Sequence, residues 1–204
     1  MRLPTNNMSI VISGGWDAKV KFWQWSNPQQ INCYQEIYVA SPVHYMSGVY
    51  PLLVTAHQSR LLHVWDLSKC VQTNNWQPLD VMDTALKYAT SSIQCFPDGK
   101  GFCVGSIEGR CSVKFCDFSQ SDRSDGKSFC FKCHRKEDKQ NGGTSLADVY
   151  SVNGFCFNKK HDTFYSYGGN GEWVSWNKDT RAKYKSNAER MIANQIAPPI
   201  VAGD

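Results

Sequence analysis

The sequence predicts an all-β fold of the propeller type, because one strand–turn–strand unit recurs along the chain. The unit is clearest in residues 105–115, GSIEGRCSVKF, where Glu108 and Gly109 form the corner. A run that ends at Ser106 has the character of one strand. Residues 111–118 alternate apolar and polar side chains, as a half-buried strand does. The other three copies occupy residues 12–23, 54–67 and 167–179.

Each copy ends in an aromatic residue, and these residues are Trp23, Trp65, Phe115 and Trp176. Their residue numbers differ by 42, 50 and 61 from one copy to the next. A period near forty with a Trp-Asp pair at the strand end is typical of WD40 propeller blades. Trp65-Asp66 is the one literal pair. We therefore predict a partial WD40-type β-propeller of about three to four blades.

The strands of the first two blades follow from period-2 runs separated by turn residues. The first blade lacks its leading strand. Its other strands are residues 10–17, 19–25 and an outer strand at 31–39. The second blade has a weak outer strand around residues 70–73, which follows strands at 43–50, 52–58 and 60–67.

The third and fourth blades follow from the same signals, with a clear turn at residues 97–100 (PDGK). The third blade includes a strong outer strand at 128–135, and its other strands are 86–96, 101–107 and 111–118. Residues 136–146 are a long polar loop. The fourth blade consists of strands at 149–158, 163–169, 172–178 and an outer strand at 181–186.

We treat residues 1–204 as one partial propeller with incomplete blades at both ends and an irregular tail at 186–204. A propeller closes its ring and thereby removes exposed edges, and this chain is too short to close in the usual way. We expect a fragment or incomplete gene product, or a chain that assembles with another. Alone it would expose two blade faces, which predicts marginal stability or self-association.

Composition narrows the class of protein further. Hydrophobic residues make up 41% of the chain, so it is expected to fold. No apolar run approaches the roughly 20 residues of a membrane span, and no secretory segment opens the chain. Nine cysteines in such a chain predict reduced, mostly buried thiols in the cytosol or nucleus. The net charge of +4 permits contact with nucleic acid but does not argue for it, and an ordinary, slightly basic surface explains it better.

The cysteine-rich segment does not indicate a cofactor. Cys130, Cys133 and His134 match the C-x-x-C-H string of haem attachment, and the two thiols could form half of a zinc site. Residues three apart on a strand point to opposite faces, so these thiols diverge. No G-x-S-x-G elbow or G-x-x-x-x-G-K loop is present. We predict no metal, no cofactor and no catalytic residue. The alternative from a different functional class is a hydrolase built on a propeller.

Two arginines are candidates for a binding site. Arg110 follows a tight turn at the rim of a blade, and Arg135 ends the neighbouring outer strand. Both could present guanidinium groups at one surface to carboxylates of a partner. Spacing alone favours two ordinary surface arginines.

Four segments in this order resemble the WD-repeat family of nuclear-pore mRNA export factors: LKYATSSIQCFPDGKGFCVGSIEGR, FKCHR, VYSVNGFCFN and WVSWNKDTRAKYK. The resemblance covers roughly residues 13–185. It implies a seven-bladed propeller, of which this chain lacks most N-terminal blades and the last one. A close relative of the family is the mitotic checkpoint propeller, and GSIEGR and WNKDTRAKYK look closer to the export factor. The strand ends WQW, FCD and WNK depart from the Trp-Asp signature.

The resemblance implies a binding platform for a short motif called GLEBS. Export factors bind it in an FG nucleoporin, and the checkpoint propeller binds it in checkpoint kinases. The two family arginines that receive the motif's glutamates correspond to Arg110 and Arg135, and we add Glu108 of the same turn. The implied role is mRNA export in the nucleus and at the nuclear pore and envelope, with cytoplasm as a second location. The alternative is a spindle-checkpoint adaptor at kinetochores.

The resemblance also implies contact with single-stranded RNA through a basic surface. Lys132, Lys136 and Lys139 are the candidate residues for such a surface. Their segment is more typical of a solvated loop, so the prediction is weaker than that for the arginines.

Overall fold

The fold is built from four four-stranded antiparallel sheets and one two-stranded ribbon. The computed structural model describes residues 2–3, 8–27, 30–116, 128–138, 146–158 and 163–187. Each predicted strand–turn–strand copy lies in its own sheet, which confirms the prediction of a propeller built from successive blades.

The first two sheets take up the N-terminal half of the chain. The strands of sheet one are β1 (Arg2–Leu3), β2 (Met8–Gly14), β3 (Lys19–Asn27) and β4 (Gln30–Tyr38). The strands of sheet two are β5 (Val43–Val49), β6 (Leu52–His57), β7 (Leu61–Asp66) and β8 (Asp80–Asp83). A short helix, α1 (Leu67–Thr73), lies between β7 and β8. In each sheet the strands pair in chain order.

The remaining elements follow the same plan. The strands of sheet three are β9 (Thr90–Cys95), β10 (Gly101–Ser106), β11 (Arg110–Phe115) and β12 (Phe129–Lys132). The ribbon consists of β13 (Arg135–Asp138) and β14 (Leu146–Val149). The strands of sheet four are β15 (Val152–Phe157), β16 (Thr163–Gly168), β17 (Trp173–Asn177) and β18 (Lys183–Asn187).

Neighbouring sheets pack face to face, and the first strands of sheets two, three and four lie side by side. β9 contacts β5 on one side and β15 on the other, whereas β2 is the strand of sheet one that contacts β5. Among the described residues, apolar clusters fill the spaces between sheets one and two, two and three, and three and four. This is the layered packing of propeller blades.

The burial of single strands shows which faces are covered. Every residue of β6 is buried, because Leu53 packs toward sheet one while Leu52 and Val54 pack toward sheet three. In β16 buried residues alternate with half-buried ones, and Tyr165 and Tyr167 lie on the less covered face. The face of sheet four that carries these two tyrosines is therefore less covered than its opposite face.

A tryptophan and a hydroxyl residue ten positions earlier form a repeated contact within the sheets. The indole Nε1 of Trp23 donates to Ser13 Oγ at 2.8 Å, and that of Trp176 donates to Ser166 Oγ at 2.9 Å. Trp65 makes the equivalent bond with Thr55 Oγ1 at 3.4 Å. Each bond joins the second and third strands of a blade. In sheet three Phe115 takes the tryptophan position, and its side chain carries no N–H group that could make this bond.

Helix α1 replaces the predicted weak outer strand around residues 70–73, so that prediction is wrong. Asp66 caps the helix, since its carboxylate accepts hydrogen bonds from the Ser68 and Lys69 amides at 3.0 and 3.3 Å. An aspartate at this position satisfies N–H groups that otherwise lack a partner, which favours a helix over a strand. Leu67 and Cys70 are the buried residues of the helix. The outer strand of the blade is β8, farther along the chain.

Two further boundaries differ from the sequence prediction. The predicted strand at 128–135 ends at Lys132, and a bend at His134 (φ 48°) separates it from β13. The predicted polar loop at 136–146 contains part of the β13–β14 ribbon, and residues 139–145 lie outside the described residues. A left-handed residue breaks strand geometry, so the chain leaves sheet three at this point.

The ends of the chain also differ in detail. A two-residue strand, β1, occupies the leading position that the sequence analysis expects to be empty in the first blade. β18 extends through Asn187, and residues 188–204 of the predicted irregular tail lie outside the described residues.

The tight turns between the second and third strands of each sheet lie at one end of the fold, here called the turn end. A residue at the end of each of these turns, or one position before it, has positive φ: Ala18 (56°), Arg60 (63°), Gly109 (63°) and Gly171 (73°). In sheets one to three the carbonyl of this residue accepts a hydrogen bond from the chain that leaves the outer strand, at 2.9, 3.2 and 2.9 Å. The turn therefore fixes where the outer strand ends.

Candidate partner-binding site

The candidate site is built on the turn between β10 and β11 at the turn end. Gly109 closes this turn, and the Cys133 amide donates to its carbonyl at 2.9 Å. A Cβ at Gly109 would lie 2.6 Å from the Cys133 carbonyl oxygen, so only glycine fits without movement. This contact brings the end of β12 against the turn.

Arg135 reaches the turn from the first position of β13. Its Nη2 donates to the Glu108 carbonyl at 2.7 Å, and its Nε donates to the Gly109 carbonyl at 3.4 Å. The side chain is 18% exposed. Two backbone carbonyls thus hold the guanidinium, which limits its rotamers and fixes it beside the turn.

The Glu108 carboxylate lies between the two arginines that the sequence analysis selects. Glu108 Oε2 is 3.4 Å from Arg110 Nε and 3.6 Å from Arg135 Nη2. Its other oxygen accepts a hydrogen bond from the Lys87 amide at 3.2 Å. Glu108 is 11% exposed, whereas Arg110 is 38% exposed. The structure therefore brings all three predicted residues together, and Glu108 is an internal counter-ion for both guanidinium groups.

The structure describes two of the three lysines predicted to contact RNA. Lys132 is exposed and lies opposite Arg110 in the register of β11 and β12. Lys136 is exposed, with its Nζ 3.8 Å from a carboxylate oxygen of Glu172 and 6.0 Å from the centre of the Tyr150 ring. Lys139 lies outside the described residues.

Arg60 and Lys87 extend the site toward sheet two, and sequence reasoning missed both. Arg60 Nη1 donates to the Lys87 carbonyl at 2.8 Å, while the Lys87 amide contacts the Glu108 carboxylate. Arg60 stands at the same turn position as Gly109, which is the one signal in the sequence that could have identified it. The role of Lys87 depends on its backbone, and no residue pattern reveals it.

A buried hydrogen-bond network supports the backbone next to Arg135. Ser166 Oγ bonds with His134 Nε2 and with Trp176 Nε1, each at 2.9 Å. Burial lowers the pKa of His134 below its usual value. The neutral imidazole therefore joins the bend before Arg135 to sheet four.

A pair of buried histidines lies at the turn end of sheet two. The rings of His57 and His63 have centroids 4.1 Å apart, and His57 bonds with the Thr55 hydroxyl and the Ser41 carbonyl, each at 2.9 Å. Desolvation, and secondarily the neighbouring His57, lowers the pKa of His63 to about 4.

The part of the chain that the structure describes has no group of three or more His, Cys, Asp or Glu side chains placed to hold a metal ion. Its helix is also far too short to cross a bilayer, and no other described helix could do so.

Sequence comparison connects this arrangement with known proteins. The chain is 33% identical to the poly(A)+ RNA export protein of Schizosaccharomyces pombe over 180 residues, which are 87% of this chain and 46% of that protein. It is also 33% identical to the mitotic checkpoint protein bub-3 of Caenorhabditis elegans over 175 residues, 86% of this chain and 48% of that protein. The chain is a homologue of these RNA export and checkpoint WD-repeat proteins. No protein-family model matches it.

Structural comparison agrees with the fold. A chain in the crystal structure of a mitotic checkpoint complex superposes with a TM-score of 0.61 at 12% identity, covering 88% of this chain and 48% of that one. The fold is a partial WD40-type β-propeller. The chain spans about half the length of the curated relatives it matches.

Proposed function

We propose that this chain is a non-enzymatic WD-repeat scaffold that binds a GLEBS-type acidic peptide of an FG nucleoporin in mRNA export. The observation that carries the proposal is the convergence of Arg110 and Arg135 on one carboxylate, that of Glu108. Guanidinium groups held in this way suit carboxylates, because charge-assisted N–H···O bonds are stronger than neutral ones. The names of the homologues support an export role and association with the nucleus and the nuclear pore. The cytoplasm is a second proposed location.

Glu108 affects how the site would receive an acidic peptide. It neutralises one of the two positive charges and orients both guanidinium groups before a partner arrives. A guanidinium has five N–H donors, and Arg110 contacts Glu108 only through Nε. Its 38% exposure lets other N–H groups reach a partner. We infer that Arg110 receives the partner's carboxylate and that Glu108 positions the arginines.

The test is calorimetric titration of the chain with a synthetic nucleoporin GLEBS peptide. Arg110→Gln with Arg135→Gln keeps side-chain length and removes both charges, and Arg181→Gln at the opposite end is the matched control. Truncating a desolvated charge pair costs about 2–5 kcal/mol, so the double variant should bind at least 30-fold more weakly. Unchanged affinity of the double variant with a wild-type melting curve would refute the site.

A second candidate function is a spindle-checkpoint adaptor that binds checkpoint kinases at kinetochores. The 33% identity to a mitotic checkpoint protein favours keeping it. The same titration with a GLEBS peptide from a checkpoint kinase separates the two functions. Tighter binding of the kinase peptide than of the nucleoporin peptide would support the adaptor.

Contact with single-stranded RNA is a weaker part of the proposal, carried by Lys132, Lys136 and Lys139. Each lysine that contacts a phosphate contributes about 0.7 to the slope of log affinity against log salt for a single strand. Lys132→Ala with Lys136→Ala should therefore lower the slope of oligonucleotide binding by about 1.4, while Lys69→Ala on α1 leaves it unchanged. Equal slopes in all three chains would exclude these lysines.

A further inference from the structure

Three cysteines form a diagonal row beneath the arginine site, within the apolar cluster between sheets three and four. Cys103 on β10, Cys111 on β11 and Cys133 after β12 all belong to this cluster. Cys111 directly follows Arg110, and Cys133 precedes Arg135 by two residues. The proposed binding of an acidic peptide assigns no role to these thiols.

Two of these thiols are in contact. Cys111 Sγ lies 3.3 Å from Cys133 Sγ, in a buried environment. Cys111 pairs with Phe131 in the strand register, so Cys133 is its diagonal neighbour on the adjacent chain segment. The contact joins two segments that are 22 residues apart, through side chains that already face each other.

The sequence motif suggests a different pair. Cys130 and Cys133 form a C-x-x-C string, but Cys130 is exposed on β12 while Cys133 is buried. The Cys130 Sγ points to the Ala85 carbonyl, 3.9 Å away, in the link between sheets two and three. The structure therefore separates the two thiols of the motif and places Cys133 against Cys111.

We propose that Cys111 and Cys133 are a thiol-oxidation site, which an oxidant of the disulfide class converts into an intramolecular Cys111–Cys133 disulfide. Formation requires the sulfurs to approach from 3.3 Å to the bonded distance of about 2.05 Å. The described cysteines are all free thiols in this structure.

The reaction proceeds in two exchange steps. The Cys133 sulfur, as thiolate, attacks one sulfur of the small disulfide, so that a mixed disulfide forms and one thiolate leaves. The Cys111 sulfur then attacks the Cys133 sulfur, forming the internal bond and releasing the second thiolate. The two protons of the protein thiols end on the two released small thiols. The protein dithiol is oxidised by two electrons, and the small disulfide is reduced by two.

The order of attack follows from burial. Cys111 is fully buried, and desolvation raises the pKa of its thiol well above the usual value. Cys133 is 6% exposed and directly precedes the left-handed bend at His134, whereas Cys111 is 0% exposed, so Cys133 is the thiol of the pair that lies nearer to solvent. Cys133 is therefore the attacking residue, and Cys111 closes the bond.

The experiment treats the full chain with 4,4′-dithiodipyridine under native conditions, blocks remaining thiols, and maps peptides by mass without reduction. We expect a cross-linked peptide pair containing Cys111 and Cys133, with a mass 2 Da below the sum of the thiol forms. Cys133→Ala should abolish this species. Cys130→Ala, which removes the exposed thiol of the motif, should leave it unchanged.

The alternatives give distinct products. A Cys130–Cys133 or Cys103–Cys133 bond, or only mixed adducts on Cys130 and Cys33, would overturn the proposal. A Cys111→Ala variant, which keeps the bend at His134, should stop at the mixed adduct on Cys133. These readouts are covalent masses, so they do not depend on whether the chain binds an acidic peptide.

Discussion

Replacing Ser166 by alanine should destabilise the fold strongly, because one hydroxyl serves two buried partners. Ser166 is fully buried and bonds with both His134 Nε2 and Trp176 Nε1 at 2.9 Å. A buried polar group left without a partner costs about 1–3 kcal/mol, and alanine leaves two such groups. We expect the free energy of unfolding to fall by about 2–4 kcal/mol.

Sheet one contains the matched control. Ser13 accepts from Trp23 at 2.8 Å at the same spacing, but that pair is half-buried and has no histidine partner. Water can replace the lost hydroxyl there, so Ser13→Ala should cost less than about 1 kcal/mol. Ser166→Thr is the rescue variant, because Thr55 fills the equivalent position in sheet two and still accepts from Trp65.

The assay is urea unfolding followed by far-UV circular dichroism. For a slope of about 2 kcal/mol per molar urea, Ser166→Ala should lower the midpoint by about 1–2 M, and Ser166→Thr by much less. If Ser166→Ala and Ser13→Ala lower the free energy of unfolding equally, the argument from the buried network is refuted.

Two other predictions concern the turn end. Burial keeps the pKa of His63 at about 4 in the folded chain, below the unfolded value near 6.5, so the unfolded chain binds more protons in that interval. The contribution of His63 to the free energy of unfolding is therefore fully present above pH 6.5 and is lost as the pH falls toward 4. A His63→Gln chain should show a smaller change of urea midpoint with pH across that range. An unchanged pH dependence would contradict the assignment of the effect to His63. Gly109→Ala should lower the free energy of unfolding by more than about 1 kcal/mol and weaken binding of the acidic peptide, since φ is +63° and the new Cβ would meet the Cys133 carbonyl. Gly169→Ala is its control, because a Cβ there would lie 3.2 Å from the nearest atom. If the two changes lower the melting temperature equally, then alanine at position 109 causes no special backbone strain.

Local patterns were sufficient to predict most of the fold. Alternating side chains and Gly- or Asp-containing turns depend on neighbours in the sequence, so the strands of the four sheets, except β1 and β8, could be placed from them. Trp23, Trp65 and Trp176 marked the blade period because each of these tryptophans lies in the third strand of its sheet. The prediction around residues 70–73 failed because the capping bonds of Asp66 outweigh a weak strand pattern.

The candidate site depended on tertiary structure. The sequence, through its resemblance to a family, selected Arg110, Arg135 and Glu108, but their mutual arrangement arises only when the end of β12 meets the β10–β11 turn. The same meeting places Cys133 against Cys111 instead of against its motif partner, Cys130. Strand periodicity determines which face a side chain occupies. Contacts between residues 22 or more positions apart depend on sheet register and on left-handed turns, which no local pattern encodes.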